Sequence, residues 1–409
     1  MGSIPENEQK EKGHYFSVNI YSELPLTYYG GGERLIVMIH NYLKSHYINV
    51  KVIDNCAYEP EKRVERRVIE ELLGGDYVSI PFRRNGFPRF LYQAFPDVGL
   101  LTEPSNVTTL IFTRRIPPSS VLKALAQSGN KFIFCLHGIA LEKFRIAPIK
   151  IMVHQIVMRL QLKTFSRFAH GNIYAQALTP TIADYLVKNG ARGGNVFVVE
   201  NEFDIGLSNI KENKEYFQVV YVGRMQGTIK GIKLLRKIVS IVKDMEPSIR
   251  FVIIGKGPDL NMLKRISDKA EVLDDADDLL KKKVIEDSSL AIITSNLEPS
   301  SLVAQEFLNG GLPIVTTPAS GPSYIVSKNE AFGKISSFNP GRFADDIMRY
   351  YYLWRSNKEE YFNLRIGIAR NFTSLFHTEH MLESYLNMIL QISSPKSQHV
   401  KDRRDSNLL

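Results

Sequence analysis

The stretch Leu290-Ala-Ile-Ile-Thr-Ser-Asn-Leu-Glu-Pro-Ser-Ser-Leu-Val-Ala-Gln-Glu-Phe-Leu-Asn309, continued by Gly310-Gly-Leu-Pro-Ile-Val-Thr-Thr317, decides how the rest of the chain is read. Its apolar run from Leu290 to Thr294 predicts a buried strand. Ser300 to Asn309 predicts a helix stopped by Gly310 and Gly311, and Leu312 to Thr316 predicts the next strand. The product is a βαβ unit carrying two carboxylates, Glu298 and Glu306. At ~1.5 Å rise per residue they stand roughly 12 Å apart along the axis, too far to share a proton or a metal ion. They suit instead the two ends of an elongated ligand. Between them the helix N-terminus, at Ser300, Ser301 and Leu302, offers unpaired N–H groups and a positive dipole end that fit a diphosphate. A nucleotide-sugar has that layout. The competing reading is one surface glutamate and one glutamate near a cap, with no ligand.

Upstream, Phe217-Gln-Val-Val-Tyr-Val-Gly-Arg-Met-Gln-Gly-Thr-Ile-Lys-Gly-Ile-Lys-Leu-Leu235 predicts a strand from Gln218 to Val222. A turn at Gly223 and Arg224 follows, then a helix with Ile232, Leu235, Ile238, Val239 and Val242 on one face. Arg224 and Lys230 flank the loop at the strand's C-terminal end, where open parallel sheets bind ligands, and two cations there suit a diphosphate. A third strand, Ile249 to Ile254, ends in Gly255-Lys256-Gly257-Pro258 on the same expected edge. None of these is a Walker loop or a GxGxxG fingerprint; the signal lies in their order and spacing.

With these motifs in that order, the chain resembles the retaining family 4 glycosyltransferases of GT-B fold. The matching features are the Arg224 and Lys230 pair, the Gly255-Lys-Gly loop, the Glu298/Glu306 spacing and the strand Gly311-Leu-Pro-Ile-Val. In the N-terminal half, Tyr29-Gly-Gly-Gly-Glu33 precedes an apolar helix, and Phe132-Ile-Phe-Cys-Leu-His-Gly138 is similar to the family's strand ending in a histidine. Val196-Phe-Val-Val-Glu-Asn-Glu-Phe-Asp204 is similar to its interdomain strand and linker, so the resemblance covers roughly residues 16 to 390. It departs at Pro299-Ser300-Ser301, where the family commonly has a glycine-rich turn, and at Ala319-Ser-Gly-Pro322, where a Gly-Gly pair is usual. The proline removes a backbone donor, and the serines add bulk and hydroxyls.

The resemblance implies an α/β, GT-B architecture of two Rossmann-like domains facing each other across a cleft. The expected boundaries are 14–205 for an acceptor domain and 206–376 for a nucleotide-sugar-binding domain. A helix at 377–392 is expected to pack back on the first domain, with disordered tails at 1–13 and 393–409. It also implies transfer of a hexose-type sugar from a nucleotide-diphosphate-sugar, with retention, to a glycan or a polyprenyl-phosphate-linked acceptor. In that scheme Arg224, Lys230 and the N–H groups near Ser301 and Leu302 stabilise the leaving diphosphate without a divalent ion. Glu306 holds the ribose, Glu298 a sugar hydroxyl, and His137 the sugar from the opposite wall. Gly31, Gly32, Gly223 and Gly255 let the backbone approach the ligand, with Lys256 and Ser300 beside it. No cofactor is expected. The rival readings are a sugar-nucleotide epimerase or phosphorylase of the same fold, and a non-catalytic homologue that binds a sugar-nucleotide.

Composition fits two α/β domains: 409 residues, 44% apolar, exceed what one compact core accommodates. Two cysteines, Cys56 and Cys135, make no disulfide framework and point to a reducing cytoplasm. The polar N-terminus lacks the apolar core of a signal peptide, and no run of ~18 apolar residues predicts a membrane span. No histidine spacing, His377 and His380 included, completes a metal site, and no metal is assigned.

The net charge of +9 is uneven. Arg114 to Arg192 holds twelve Lys/Arg against Glu142 and Asp184, a local balance of +10. Within it, 148–169 predicts a helix with Ile149, Val153, Ile156, Val157 and Leu160 on one face, beside Arg159, Lys163 and Arg167. The apolar stripe is expected to face the core. The charge is expected to meet an anionic acceptor or an anionic membrane surface, with the protein peripheral on the inner face of the plasma membrane. Nucleic acid is not expected, since no DNA- or RNA-binding signature accompanies the charge. Phe82-Arg-Arg-Asn-Gly-Phe-Pro-Arg-Phe-Leu-Tyr-Gln-Ala-Phe95 mixes arginines with aromatics, and acceptor choice is expected there.

Overall fold

The computed structural model describes residues 16–56, 64–84, 94–102, 107–139, 141, 149–203, 210, 215–274 and 276–394. The expected tails except Ser393, which ends the final helix, and Ser394, most of the aromatic and arginine segment 82–95 and most of the linker after residue 203 lie outside these residues. The chain divides into two compact units, one of residues 1–139, 156–200 and 379–409, the other of residues 140–155 and 201–378.

The first unit is built on a seven-stranded parallel sheet. Its strands are β1 (Ser17–Ser22), β2 (Asn49–Asn55), β3 (Tyr77–Ile80), β6 (Val107–Phe112), β7 (Lys131–Cys135), β8 (Ile173–Ala177) and β9 (Val196–Val198), with a two-residue ladder of β4 (Arg83–Arg84) and β5 (Ala94–Phe95) outside it. The order is β3-β2-β1-β6-β7-β8-β9. Strands buried on both faces read as continuous apolar runs, and Val107–Phe112 is buried at every position. The final helix, Thr378–Ser393, contributes Tyr385, Met388 and Ile389 to the buried set.

The second unit carries β10 (Gln218–Val222), β11 (Arg250–Ile254), β12 (Glu271–Leu273), β13 (Leu290–Ile293), β14 (Ile314–Thr316) and β15 (Gly333–Ile335). All pair in parallel, in the order β12-β11-β10-β13-β14-β15. The helix Ile232–Met245 buries Ile232, Leu235, Ile238, Val239 and Val242, the face that the sequence periodicity predicts. Each such side chain contributes about 1.5–3 kcal/mol by leaving water. In both sheets the chain moves outward in one direction from its first strand and then in the other. The crevice at the C-terminal ends of the two central strands is where doubly wound sheets bind ligands. In the second unit those strands are β10 and β13.

One sequence expectation fails here. The helix Ile149–Ser166 forms, but Val153, Ile156 and Leu160 are 54%, 49% and 60% exposed. Its buried side is Met158, Leu162 and Phe165. The helix has two apolar stripes on opposite sides, and periodicity does not say which one the sheet covers.

Candidate active site in the second unit

Two strand-to-helix connections meet at the β10/β13 switch point. After β10, Gly223, Arg224, Met225 and Gln226 lead into a short helix, Gly227–Lys230. Gly231, at φ +67°, then turns the chain into the long helix. A Cβ there would lie 1.9 Å from the Thr294 carbonyl oxygen, so only glycine fits. After β13, the segment from Thr294 folds onto this loop: Thr294 Oγ1 donates to the Lys230 carbonyl at 2.9 Å and Asn296 N to that of Ile229 at 2.7 Å. The β11 loop closes the other side, with Met225 N donating to Lys256 O at 2.7 Å and Asp259 N to Met225 O at 2.9 Å. Gly255 has φ +149°, and a Cβ on it would meet Gly223 O at 1.9 Å. Backbone contacts therefore hold three loops in one arrangement, which presents Gly223, Arg224, Lys230, Gly255 and Lys256 together; Arg224 and Lys256 are exposed.

Glu298 is drawn to the same place. Its Oε2 lies 3.0 Å from Lys230 Nζ and accepts from Ser295 Oγ at 2.5 Å. The carboxylate is nearly buried, and a hydrogen-bonded cation offsets that desolvation. The helix Leu302–Asn309 starts one turn later. Ser301 caps it, accepting from Ala304 N at 3.3 Å, and the predicted start at Ser300 is two residues early. Gly321 lets a second helix, Ser320–Ser327, pack on this segment: Gly321 N donates to Glu298 O at 2.7 Å, and a Cβ would stand 2.8 Å from Ser300 N. Glu306 lies farther along the helix, half-buried, and pairs with Lys281 Nζ at 2.9 Å. The two glutamates thus each hold a lysine from a different element.

Several contributors were not read from the sequence. Gln305, buried on the same helix, donates to Asn201 O at 2.8 Å and accepts from Phe203 N at 2.8 Å, which ties the segment entering the unit to the site. Lys281 carried no signal beyond its place in a lysine run. The Tyr221 hydroxyl is buried without a hydrogen-bond partner, and a Cβ on Gly223 would stand 2.9 Å from it. Burial first, and then the Glu298 carboxylate, push that hydroxyl's pKa far up. Arg365, also buried, donates to Gly310 O at 3.2 Å, and its own carbonyl would lie 2.6 Å from a Cβ on Gly311. That approach, at φ +69°, is why a glycine stands at 311.

The candidates of the first unit occupy separate local settings. Gly31 and Gly32 open the helix Gly31–Ser45, whose Glu33 side chain accepts from Gly30 N at 2.9 Å. His137 follows β7, with Nε2 3.0 Å from the Tyr385 hydroxyl and its ring 5.0 Å from that of Phe112. Burial pulls its pKa down to about 4, the Gln176 side chain acting the other way, so the ring is neutral at neutral pH. At this unit's own switch point, between β1 and β6, Glu23 Oε2 lies 3.3 Å from Arg114 Nε, a pair the sequence reading passed over. Among the described residues no group of three or more His, Cys, Asp or Glu side chains is placed to hold a metal ion.

Residues 206–362 match the family model of glycosyl transferases group 1. A glycosyltransferase of Bacillus subtilis strain 168, YqgM, itself uncharacterised, is 24% identical over 177 residues, which span 42% of this chain and 48% of the relative. The chain therefore matches about half the length of that relative. Among solved structures, a sucrose-phosphate synthase from Thermosynechococcus elongatus superposes with TM-score 0.68 at 13% identity, over 92% of this chain and 98% of that one. HepE of Anabaena, in complex with UDP, superposes with TM-score 0.65 at 13% identity, over 91% and 99%. The chain has the GT-B fold of two Rossmann-like parallel-sheet units, and the match to the glycosyl transferases group 1 model lies within its second unit.

Proposed function

We propose that the chain is a retaining glycosyltransferase that moves a hexose-type sugar from a nucleotide-diphosphate-sugar to a glycan or lipid-linked acceptor. The observation that carries this reading is the Lys230–Glu298 pair at 3.0 Å on the switch point of a group 1 domain, beneath the capped start of the helix Leu302–Asn309. The structural neighbour HepE binding UDP is in keeping with it. As the bond between sugar and diphosphate lengthens, negative charge grows on the leaving oxygen. Arg224, Lys230 and the N–H groups at the helix start supply preorganised positive charge to it. Glu298 keeps the Lys230 ammonium in place before the donor arrives and offers its carboxylate to a sugar hydroxyl. Glu306, on the next turn, takes the ribose hydroxyls in exchange for, or beside, Lys281. Gly223 and Gly255 leave the diphosphate room at the backbone.

The acceptor is assigned to an anionic membrane face on separate grounds. Met152, Ile156 and Leu160 form an exposed apolar stripe that continues into exposed Lys163 and Arg167, within the segment of +10 balance. Such a stripe suits the headgroup boundary of anionic lipid. Among the described residues no helix is long and apolar enough to cross a membrane.

The donor is tested by thermal shift and nucleoside-diphosphate release over a panel of nucleotide-sugars, with and without polyprenyl-phosphate-linked acceptors and with EDTA throughout. Stabilisation by one donor with acceptor-dependent release is the expected result. Stabilisation without release in any mixture overturns the transferase in favour of a binding homologue. Flotation with anionic and neutral vesicles tests the membrane face, and equal, negligible binding to both removes it.

A further inference from the structure

The second unit has a cavity of about 480 Å³ whose lining includes neither Lys230 nor Glu298, formed by Lys233, Arg236, Lys237, Asp259, Met262 and Arg265 among others. Lys233, Arg236 and Lys237 stand at i, i+3 and i+4 in the first two turns of the helix Ile232–Met245 and so share one face. Arg265 joins them as the C-cap of the helix Leu260–Lys264. Among the described residues none of the four side chains has an ion-pair or hydrogen-bonding partner. The one carboxylate present, Asp259, is already engaged, its Oδ2 accepting from Gly227 N at 2.6 Å.

This arrangement favours an anion, with Lys233, Lys237 and Arg265 exposed to solvent. Three cations repel one another at helical spacing, and they sit at the helix end that already carries positive partial charge, with no acidic residue in the first turn. Two other lysines of the same unit are matched, Lys264 with Asp274 at 3.0 Å and Lys269 with Asp244 at 2.9 Å. The volume falls within the roughly 300–1,000 Å³ of small-molecule sites. Two guanidinium groups offer the paired N–H geometry that phosphate oxygens take, and the lysines add point charge. Pro258 and Met262 give the wall an apolar portion.

We propose that this cleft is a second anion site, distinct from the Lys230–Glu298 site, for a soluble phosphorylated small molecule. Its phosphate groups meet Arg236, Arg265, Lys233 and Lys237, and its organic part lies on Met262 and Pro258. The cleft shares Asp259 with Gly227 and, through the Asp259 N to Met225 O bond, with the β10 loop, so its occupant adjoins the loop that carries Arg224 and Lys230. The site stands whatever reaction the domain performs.

The test is calorimetric titration of inorganic tripolyphosphate into the full chain at fixed ionic strength. Four proteins are compared: wild type, the triple variant Arg236→Ala/Lys237→Ala/Arg265→Ala, a charge-matched control Lys188→Ala/Lys282→Ala/Lys283→Ala, and Lys230→Ala. Matching circular dichroism melts establish that each is folded. The expected result is a tenfold or greater loss of affinity in the cleft variant, with the control within twofold of wild type and the cleft-bound component kept in Lys230→Ala. Unchanged binding in the cleft variant overturns the proposal. Equal loss in cleft variant and control reduces it to general charge attraction, and loss in Lys230→Ala alone assigns the anion to the β10 loop; either result overturns it as well.

Discussion

The two units share a doubly wound sheet, yet their switch points are built differently. At β10/β13, three loops are joined by backbone hydrogen bonds, and glycines at 231 and 255 allow carbonyl contacts that any side chain would block. The Lys230–Glu298 pair sits on that frame. At β1/β6, Glu23 meets Arg114, half exposed, and Gly138 is required because a Cβ would stand 2.3 Å from Arg114 Cα. The C-terminal edges of both sheets thus carry opposite-charge pairs; three loops are joined by backbone bonds at β10/β13, while at β1/β6 Gly138 N donates to Thr113 O at 3.2 Å. In the second unit a frame made of backbone fixes the Lys230–Glu298 pair, while in the first unit Glu23 is held by Arg114 itself, through its side chain and its backbone N–H at 3.2 Å.

The comparison breaks first at Lys230. Lys230→Ala is expected to lower turnover by about a hundred- to a thousandfold, the usual effect of removing a preorganised charge donor, with the thermal midpoint little changed. Diphosphate release with the donor that stabilises the wild type is the measurement, and a near-normal rate would refute the site. Arg114→Ala, the matching change in the first unit, is expected to leave donor binding intact.

Next in size is the frame itself. Gly231→Ala puts a Cβ against the Thr294 carbonyl in a left-handed conformation, and strained backbone of that kind costs of order 1–3 kcal/mol before the collision is counted. A fall in the urea midpoint together with loss of donor-induced stabilisation is expected. An unchanged midpoint means that the loops are not locked.

A smaller effect is expected at Lys281→Ala. Its ion pair with Glu306 is partly exposed, and such pairs contribute about 0–1 kcal/mol, so stability barely moves. Freed of its lysine, Glu306 is expected to bind ribose a few-fold more tightly, read as a lower KM at constant kcat. A raised KM would mean instead that the lysine helps hold the donor.

The smallest effect sharpens the first unit's side. Burial holds the folded-state pKa of His137 near 4, below the ordinary value of 6.5. The unfolded chain therefore binds the proton more readily, and the neutral ring's contribution to stability is complete above pH 6.5 and is lost as pH falls toward 4. His137→Gln should flatten that part of the stability profile, followed by thermal melts between pH 4 and 7. A profile identical to the wild type would assign the dependence to other groups.

The order of elements in the second unit was legible because its signals are local. Apolar runs of four to six residues, glycines after strands and one apolar helix face each report on their own neighbourhood, and the strand Gln218–Val222 and the buried face of Ile232–Met245 match the structure residue for residue. The spacing of Glu298 and Glu306 marked the candidate site in the same way. Pairing was not legible. Lys230 and Glu298 are 68 positions apart in sequence, and Lys281 meets Glu306 only because two helices of the sheet's cover lie side by side. Nor could periodicity choose between the two apolar stripes of Ile149–Ser166, since each repeats at helical spacing and only the packed neighbours select one. By itself the sequence determined which segments become strands and helices and which residue types stand at the strand ends, because those follow from short-range spacing. The tertiary structure alone decided which charges meet, which cations are left unmatched around one cavity, and which apolar face remains in water, because each depends on contacts between segments far apart in the chain.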